Sequence, residues 1–402
     1  MFFIKKGYCR IFQAAFRIAL PFLPYREPEI IGSCNEINTV LEKEKITSVL
    51  IVTDKGIVNN GLLEPIEKVL QLSCISYAVY DETLPNPTVL NVEDALNIYH
   101  QNNCNAIIAI GGGSAMDCAK GVGVRVSYPK RTVNQLGGKL KAWRKLPVLI
   151  AIPTTAGTGS ETTLAAMITD SVTHHKYAIM SFPLIPRYAV LDASLTYSLP
   201  QHLTATTGMD ALTHAAEAYI GRSTTKETRR LALEATKLIF ENILVAYSEG
   251  DNHAAREYML HAAYKAGIAF SKSYVGYIHA LAHSLGGFYG TPHGLANTVI
   301  MPYVLEAYGE SVYQKLYELG IAAGVCDETD SCQIGAEKFI DAVKKLNATM
   351  KIPDKIEGIK EKDIVSLSNH AEREANPLYP VPKLMTRKEL EKFYYKIADW
   401  SK

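Results

Sequence analysis

The sequence predicts an α/β domain with a mainly parallel sheet, followed by an all-helical domain. Three observations carry this. Short apolar, β-rich runs alternate with helical stretches from about residue 48 to residue 153, the pattern of buried strands joined by crossover helices. After about residue 200 the apolar residues recur with helical period only. At 402 residues the chain is too long for one hydrophobic core and fits two domains.

The elements follow in order. The first thirty residues, beginning MFFIKKGYCRIFQAAFRIALPFLPYREP, form an extension that is apolar but interrupted by Lys5, Lys6, Arg10 and Arg17. No run reaches membrane-spanning length, and the charges break what would be a signal-peptide core. The spacing predicts a helix packed on its own domain or on a second subunit. An amphipathic helix lying on a membrane is the alternative, and no membrane partner is expected.

SVLIVT (48–53), SYAVY (76–80), AIIAI (106–110) and PVLIAIP (147–153) are the predicted strands. Helices are predicted through Leu70, near 88–102 and near 114–125. The stretches HLTATTGMDALTHAAEAYI, TRRLALEATKLIFENILVAY and AAREYMLHAAYKAGIAF predict the helical domain. The join falls near LDASLTYSLP (191–200), where Pro200 stops any continuing element. The predicted domains are residues 1–198, including the 1–30 extension, and residues 199–402. A cleft between two such domains is a favoured ligand site.

Composition excludes several partners. Hydrophobic residues make up 48% and charged residues 21%, an ordinary globular balance. With 42 basic and 41 acidic residues, nothing draws the chain to nucleic acid. Seven widely spaced cysteines without a C-x-x-C pair argue against a disulfide framework or a thiolate zinc site. A reducing, cytoplasmic setting is expected.

Four motifs carry chemistry. In AIIAIGGGSAMDCAK (106–120) a strand runs into Gly111, Gly112 and Gly113, and Ser114 opens a helix. Glycines admit a close ligand, and free amides at the helix start suit an anion such as a diphosphate. A tight strand-to-helix turn would use the same glycines. IPTTAGTGSETT (152–163) offers hydroxyls and amides to a cofactor groove, although Thr/Gly loops are common. Asp54, ending SVLIVTD, either holds ribose hydroxyls and repels a 2'-phosphate, or caps the next helix.

The fourth motif is histidine-rich. Asp210 and His214 in GMDALTHAAEAY stand at i, i+4, so they share a helix face and can chelate one ion. His279 and His283 in HALAHSLGGFYGTPHG repeat that spacing, and His293 is predicted in a loop behind Pro292. A lone helical histidine is usually a satisfied core residue. Four histidines and one aspartate in two compact clusters instead predict one divalent metal, with donors suited to Zn2+ or Fe2+.

Taken together, GGGSAMDCAK, PTTAGTGSE, DALTHAAEAY and HALAHSLGGFYGTPHG closely resemble the iron-containing alcohol dehydrogenase family over residues 30 to about 385. The resemblance implies a Rossmann-like dinucleotide-binding domain, a helical metal-binding domain and a dehydroquinate-synthase-like fold. It implies metal ligands at Asp210, His214, His279 and His293, and a non-ligand His283 near the nicotinamide that moves the substrate proton. It implies cofactor contacts at Asp54, Gly111, Gly112, Gly113, Ser114, Asp117, Thr154, Thr155, Ser160, Lys176 and Phe270. The NPT at 86–88 also looks familial. The usual Asp-Pro near the join is Asp192-Ala193 here, and the tail AEREANPLYPVPKLM is only loosely similar and is given no function.

The expected activity is a metal-dependent alcohol dehydrogenase or aldehyde reductase using NAD(H) rather than NADP(H), acting as a homodimer. Ala165, Ala166 and Phe270 suggest a compact apolar pocket for short alcohols, diols or aldehydes. A dehydroquinate-synthase-like lyase would need a cluster of Arg and Lys around a polyanion, which residues 266–300 do not supply. A non-catalytic binding protein would not need intact ligands.

Overall fold

A computed structural model describes residues 2–170 and 176–401. The chain divides into two compact units, residues 24–199 and residues 200–402 together with 1–23. The first helix, α1 (Phe2–Ala19), therefore belongs to the helical unit. This corrects the sequence prediction, which attaches it to the α/β domain. The cause is physical: the inward polar side chains of α1 find their acceptors near the far end of the chain.

The α/β unit contains β1 (Glu29–Ile31), α2 (Ile37–Lys43), β2 (Ser48–Val52), α3 (Lys55–Asn59), α4 (Glu64–Leu72), β3 (Ser76–Tyr80), α5 (Val89–Gln101), β4 (Ala106–Gly111), α6 (Gly113–Ser127), α7 (Val133–Leu136), β5 (Gly138–Lys139), β6 (Val148–Pro153), β7 (Ala165–Thr169), β8 (Lys176–Met180) and β9 (Tyr188–Val190). Six strands form a sheet in the order β1-β9-β6-β4-β2-β3, with every pair parallel. β2 and β4 are buried along their whole length, as strands covered on both faces must be. Leu50, Val52, Ile107 and Ala109 pack with Val92, Leu96, Met116 and Val122 of α5 and α6. Their alternate neighbours Val49, Ile51, Ile108 and Ile110 pack with Val40, Leu41, Ile66 and Leu70 of α2 and α4. A period of two thus divides each strand between two helical layers.

The chain order reverses at the centre. β3 lies outside β2 on one side, while β4, β6 and β9 lie in turn on the other. The carboxyl ends of β2 and β4 are therefore the switch point, the favoured ligand position in open parallel sheets. A smaller sheet, β5-β8-β7, joins β7 and β8 antiparallel.

The helical unit contains α1, α8 (Gln201–Ile220), α9 (Lys226–Ser248), α10 (His253–Ser273), α11 (Tyr277–Tyr289), α12 (His293–Tyr308), α13 (Tyr313–Ala322), α14 (Cys332–Thr349), α15 (Ile364–Ala375) and α16 (Arg387–Ile397). α8 is buried from Gly208 to Ile220, and its alanines let α9, α10 and α12 pack closely around it. α1 is built the other way round. Its inward face carries Cys9 and Gln13, only 2% and 3% exposed, while Tyr8, Ile11 and Ile18 face outward at 59%, 72% and 71%. Among the described residues no helix is long and apolar enough to cross a membrane. No cysteine is in a disulfide.

Candidate metal centre and glycine turn

Three helices of the helical unit assemble the candidate metal centre. α8 carries Asp210 and His214 one turn apart, and α11 carries His279 in its first turn. His293 is the first residue of α12 and follows Pro292. The loop predicted for it is replaced by a helix start, where proline's fixed φ is compatible with helix entry. One donor atom from each of Asp210, His214, His279 and His293 lies within 4.8 Å of every other. The rings of His214 and His279 stack at 4.6 Å, and those of His279 and His293 stand 5.3 Å apart.

These residues fit a divalent ion. His279 Nε2 is buried and has no hydrogen-bond partner, a costly arrangement unless something binds there. Burial, then the neighbouring His214, His293 and His283, hold the His279 imidazole well below its ordinary pKa. It is therefore neutral and able to present a lone pair. Three imidazoles and one carboxylate suit zinc or ferrous iron.

The supporting groups are absent from the sequence prediction. Glu217, one turn below His214 on α8, is almost fully buried. It accepts from His279 Nδ1 at 2.6 Å and from the backbone N–H of Gly276 and Ile278 at 2.7 and 2.8 Å. Burial pushes its carboxyl up to about 7, but three donors converging on two oxygens are matched by the carboxylate. This fixes the His279 proton on Nδ1 and leaves Nε2 for the ion. A Cβ on Gly276 would stand 2.6 Å from Glu217 Oε1, so this close approach requires glycine. Asn297, four residues after His293, donates to Asp210 Oδ1 at 2.7 Å and lies 3.1 Å from His293 Nε2. The i+7 spacing of Glu217 from Asp210 and the i+4 spacing of Asn297 from His293 were the available signals.

His283 lies outside the four-residue group. Its Nδ1 is 2.5 Å from Glu374 Oε1, and its ring stacks on His293 at 5.1 Å. Glu374 also accepts from the Tyr379 hydroxyl at 2.6 Å. Both partners belong to the tail that the sequence leaves without a function. Phe270 stacks on His214 at 4.1 Å and so walls the metal centre.

In the α/β unit, the glycine turn lies at the switch point. Gly111 has φ of 144°, and a Cβ there would stand 3.0 Å from Ala115 Cβ and 3.5 Å from Asp54 Oδ2. Asp54 caps α3, its Oδ1 accepting from Gly56 and Ile57 N–H at 2.8 and 3.2 Å. The capping role is thus present, while Oδ2 stays beside Gly111. Gly113 opens α6. Thr154 N–H donates to Gly111 O at 3.0 Å, and Thr155 flanks Gly112. Ser114 Oγ donates to Pro85 O, and Lys176 Nζ donates to Asn86 Oδ1 at 2.8 Å. The latter bond ties the NPT stretch to β8.

Asp117 and Ser160 are committed to an internal network. Asp117 accepts from Ser160 Oγ and Met167 N–H, both at 3.0 Å. The fully buried Lys120 donates to Ser160 O and Oγ, Thr163 Oγ1 and Ala165 O. Lys120 is not singled out by the sequence, although it ends the glycine motif. Ala166 is 0% exposed within the sheet-and-helix core, so it lines no pocket, contrary to the sequence expectation.

The family described as iron-containing alcohol dehydrogenase matches residues 30–193, and its C-terminal domain matches residues 204–398. Alcohol dehydrogenase 4 of Schizosaccharomyces pombe is 38% identical over 357 residues, covering 87% of this chain and 83% of that one. The crystal structure of 1,3-propanediol oxidoreductase superposes with a TM-score of 0.89 at 33% identity, covering 93% of this chain and 99% of the other. Sulfoacetaldehyde reductase from Bifidobacterium kashiwanohense, solved with NAD+, gives 0.82 at 27% identity, covering 94% and 99%. The chain belongs to the iron-containing alcohol dehydrogenase family.

Proposed function

We propose that the protein is a metal-dependent, NAD(H)-linked alcohol dehydrogenase or aldehyde reductase for small alcohols, diols or aldehydes. The observation that carries this reading is the convergence of Asp210, His214, His279 and His293 around a buried, unpartnered Nε2. When bound, a dication supplies Lewis acidity to the substrate oxygen and the nicotinamide supplies or accepts the hydride.

The chain's own residues do the rest. Asp210, His214, His279 and His293 would hold the ion, with Glu217 fixing one imidazole and Asn297 aligning Asp210. The glycine turn and the start of α6 would hold the cofactor's diphosphate, and Asp54 would hold the ribose hydroxyls. His283, held at Nδ1 by Glu374, exchanges the hydroxyl proton at Nε2. The relatives' names, which include an alcohol dehydrogenase, a diol oxidoreductase and an aldehyde reductase, support the substrate class. Cysteines without disulfides support a reducing, cytoplasmic setting, and a homodimer goes with this reading.

The test is NADH absorbance with metal-stripped protein reloaded separately with Zn2+ and Fe2+, against a panel of short aldehydes. Oxidation of NADH that depends on added metal is expected. No absorbance change with either ion across the panel would sink the assignment.

A further inference from the structure

The segment after α15 reads NPLYPVP, residues 376–382. Its three prolines lack N–H donors and prevent a regular element, so its carbonyls need donors from elsewhere. α1 supplies them. Arg10 donates to Val381 O at 2.7 Å and Pro382 O at 2.9 Å. Gln13 donates to Tyr379 O at 2.7 Å and Pro377 O at 3.4 Å. Phe16 meets Tyr274 edge-on at 5.1 Å, and Tyr274 in turn lies 6.2 Å from Tyr379. An ordinary surface helix turns its apolar side inward. α1 turns its hydrogen-bonding side inward and leaves Ile11 and Ile18 in solvent, a design suited to gripping backbone.

The gripped segment carries Tyr379, whose hydroxyl donates to Glu374, and Glu374 holds His283. We propose that α1 is a positioning element for His283, acting through Arg10 and Gln13 on residues 376–382 and from there through Tyr379 and Glu374. The inference rests on the proposed role of His283 in moving the substrate proton. It assigns a task to a segment that lies outside the matched family region.

Three proteins test it: Arg10→Met with Gln13→Leu, Glu374→Gln alone, and all three changes together. Each is measured for kcat, aldehyde KM, metal content and melting temperature. The α1 pair is expected to lower kcat about tenfold, a fraction of what general acid–base groups contribute, with KM and metal content unchanged. The triple variant is expected to be no slower than Glu374→Gln, since both changes act along one path. Arg10→Lys is expected to restore most of the rate, and Ile11→Ser, on the exposed face, to leave it unchanged.

An α1 pair that melts earlier but keeps wild-type kcat would make α1 a stabilising strap and overturn the proposal. Multiplicative losses in the triple variant would overturn it as well. If the wild-type protein shows no turnover, the dehydrogenase reading falls instead. The imidazole 15N signature of His283 in zinc-loaded protein then decides this inference: an Nδ1–H tautomer in wild type that is lost in the α1 pair supports it, and an unchanged signature overturns it.

Discussion

At the scale of single residues, Glu217 holds the His279 imidazole by its Nδ1 and so, on the proposed reading, would set how Nε2 faces an ion. Replacing Glu217 with Gln keeps the size but puts an amide where three donors require acceptors. Metal affinity should fall about 10- to 100-fold, the usual cost of losing such a partner, while the helical content stays unchanged. Competition with a chelator of known affinity measures this, and unaltered affinity would count against the assigned role. Asp54 invites a separation of its observed capping bonds from its proposed cofactor role. An asparagine at this position would still cap α3 but would no longer repel a 2'-phosphate. Asp54→Asn should therefore shift the ratio of kcat/KM for NADPH over NADH upward about tenfold, roughly 1.4 kcal/mol, at near-native stability. Asp54→Ala should shift it similarly and also cost about 1 kcal/mol in urea unfolding. A ratio that moves in neither variant would leave Asp54 as a cap alone.

At the scale of elements, Lys120 ties α6 to the segment leading into β7. Lys120→Met would remove the charge that most favours the buried Asp117 carboxylate and delete the bonds the amine donates to Ser160, Thr163 and Ala165. Breaking a buried pair in this way costs about 3–5 kcal/mol, readable by urea denaturation; a loss below about 1 kcal/mol, the scale of an exposed pair, would contradict the network. The pH dependence has a definite sign. Burial lowers the Lys120 amine from 10.5 to about 8. Between those values the unfolded chain holds a proton that the folded chain has released, so folded stability from this group rises with pH. The wild-type advantage over Lys120→Met should accordingly widen from about pH 8 to about pH 10.

The same elements show what the sequence could reveal. β2 and β4 were legible because a strand buried on both faces is an unbroken apolar run, and the pairing of Asp210 with His214 was legible because i, i+4 spacing is local, whereas the choice of His293 over His283 as the partner of His279 came only from the resemblance to the family. β1 and β9 were not, since three-residue strands such as Glu29–Ile31 and Tyr188–Val190 exist only through their place in the sheet, β1 on β9 and β9 between β1 and β6. Glu217 and Asn297 had the right spacing but no distinguishing residue type. Glu374 had no local signal, because its link to His283 spans 91 positions.

At the scale of the whole molecule, an ion held by Asp210, His214, His279 and His293 would link α8, α11 and α12 across the helical unit. Removing it with a chelator should lower the melting temperature, and adding back one equivalent of Zn2+ or Fe2+ per chain should restore it. An ion at about 1,000 times its dissociation constant contributes about 4 kcal/mol. His279→Ala should abolish both the restoration and the turnover, and a variant keeping either would displace His279 from the ligand set.

The docking of α1 has a consequence for how the protein is made. Arg10 bonds to Val381, 371 positions later, so α1 cannot complete its docking until residues 376–382 have been made. Residues 24–199 form their own compact unit and can fold during synthesis, as early domains do. A nascent chain arrested near residue 200 should therefore carry a protease-resistant α/β body with a cleavable leading segment. Completion and release should then protect that segment, making its resistance to protease a clock for the last step of maturation.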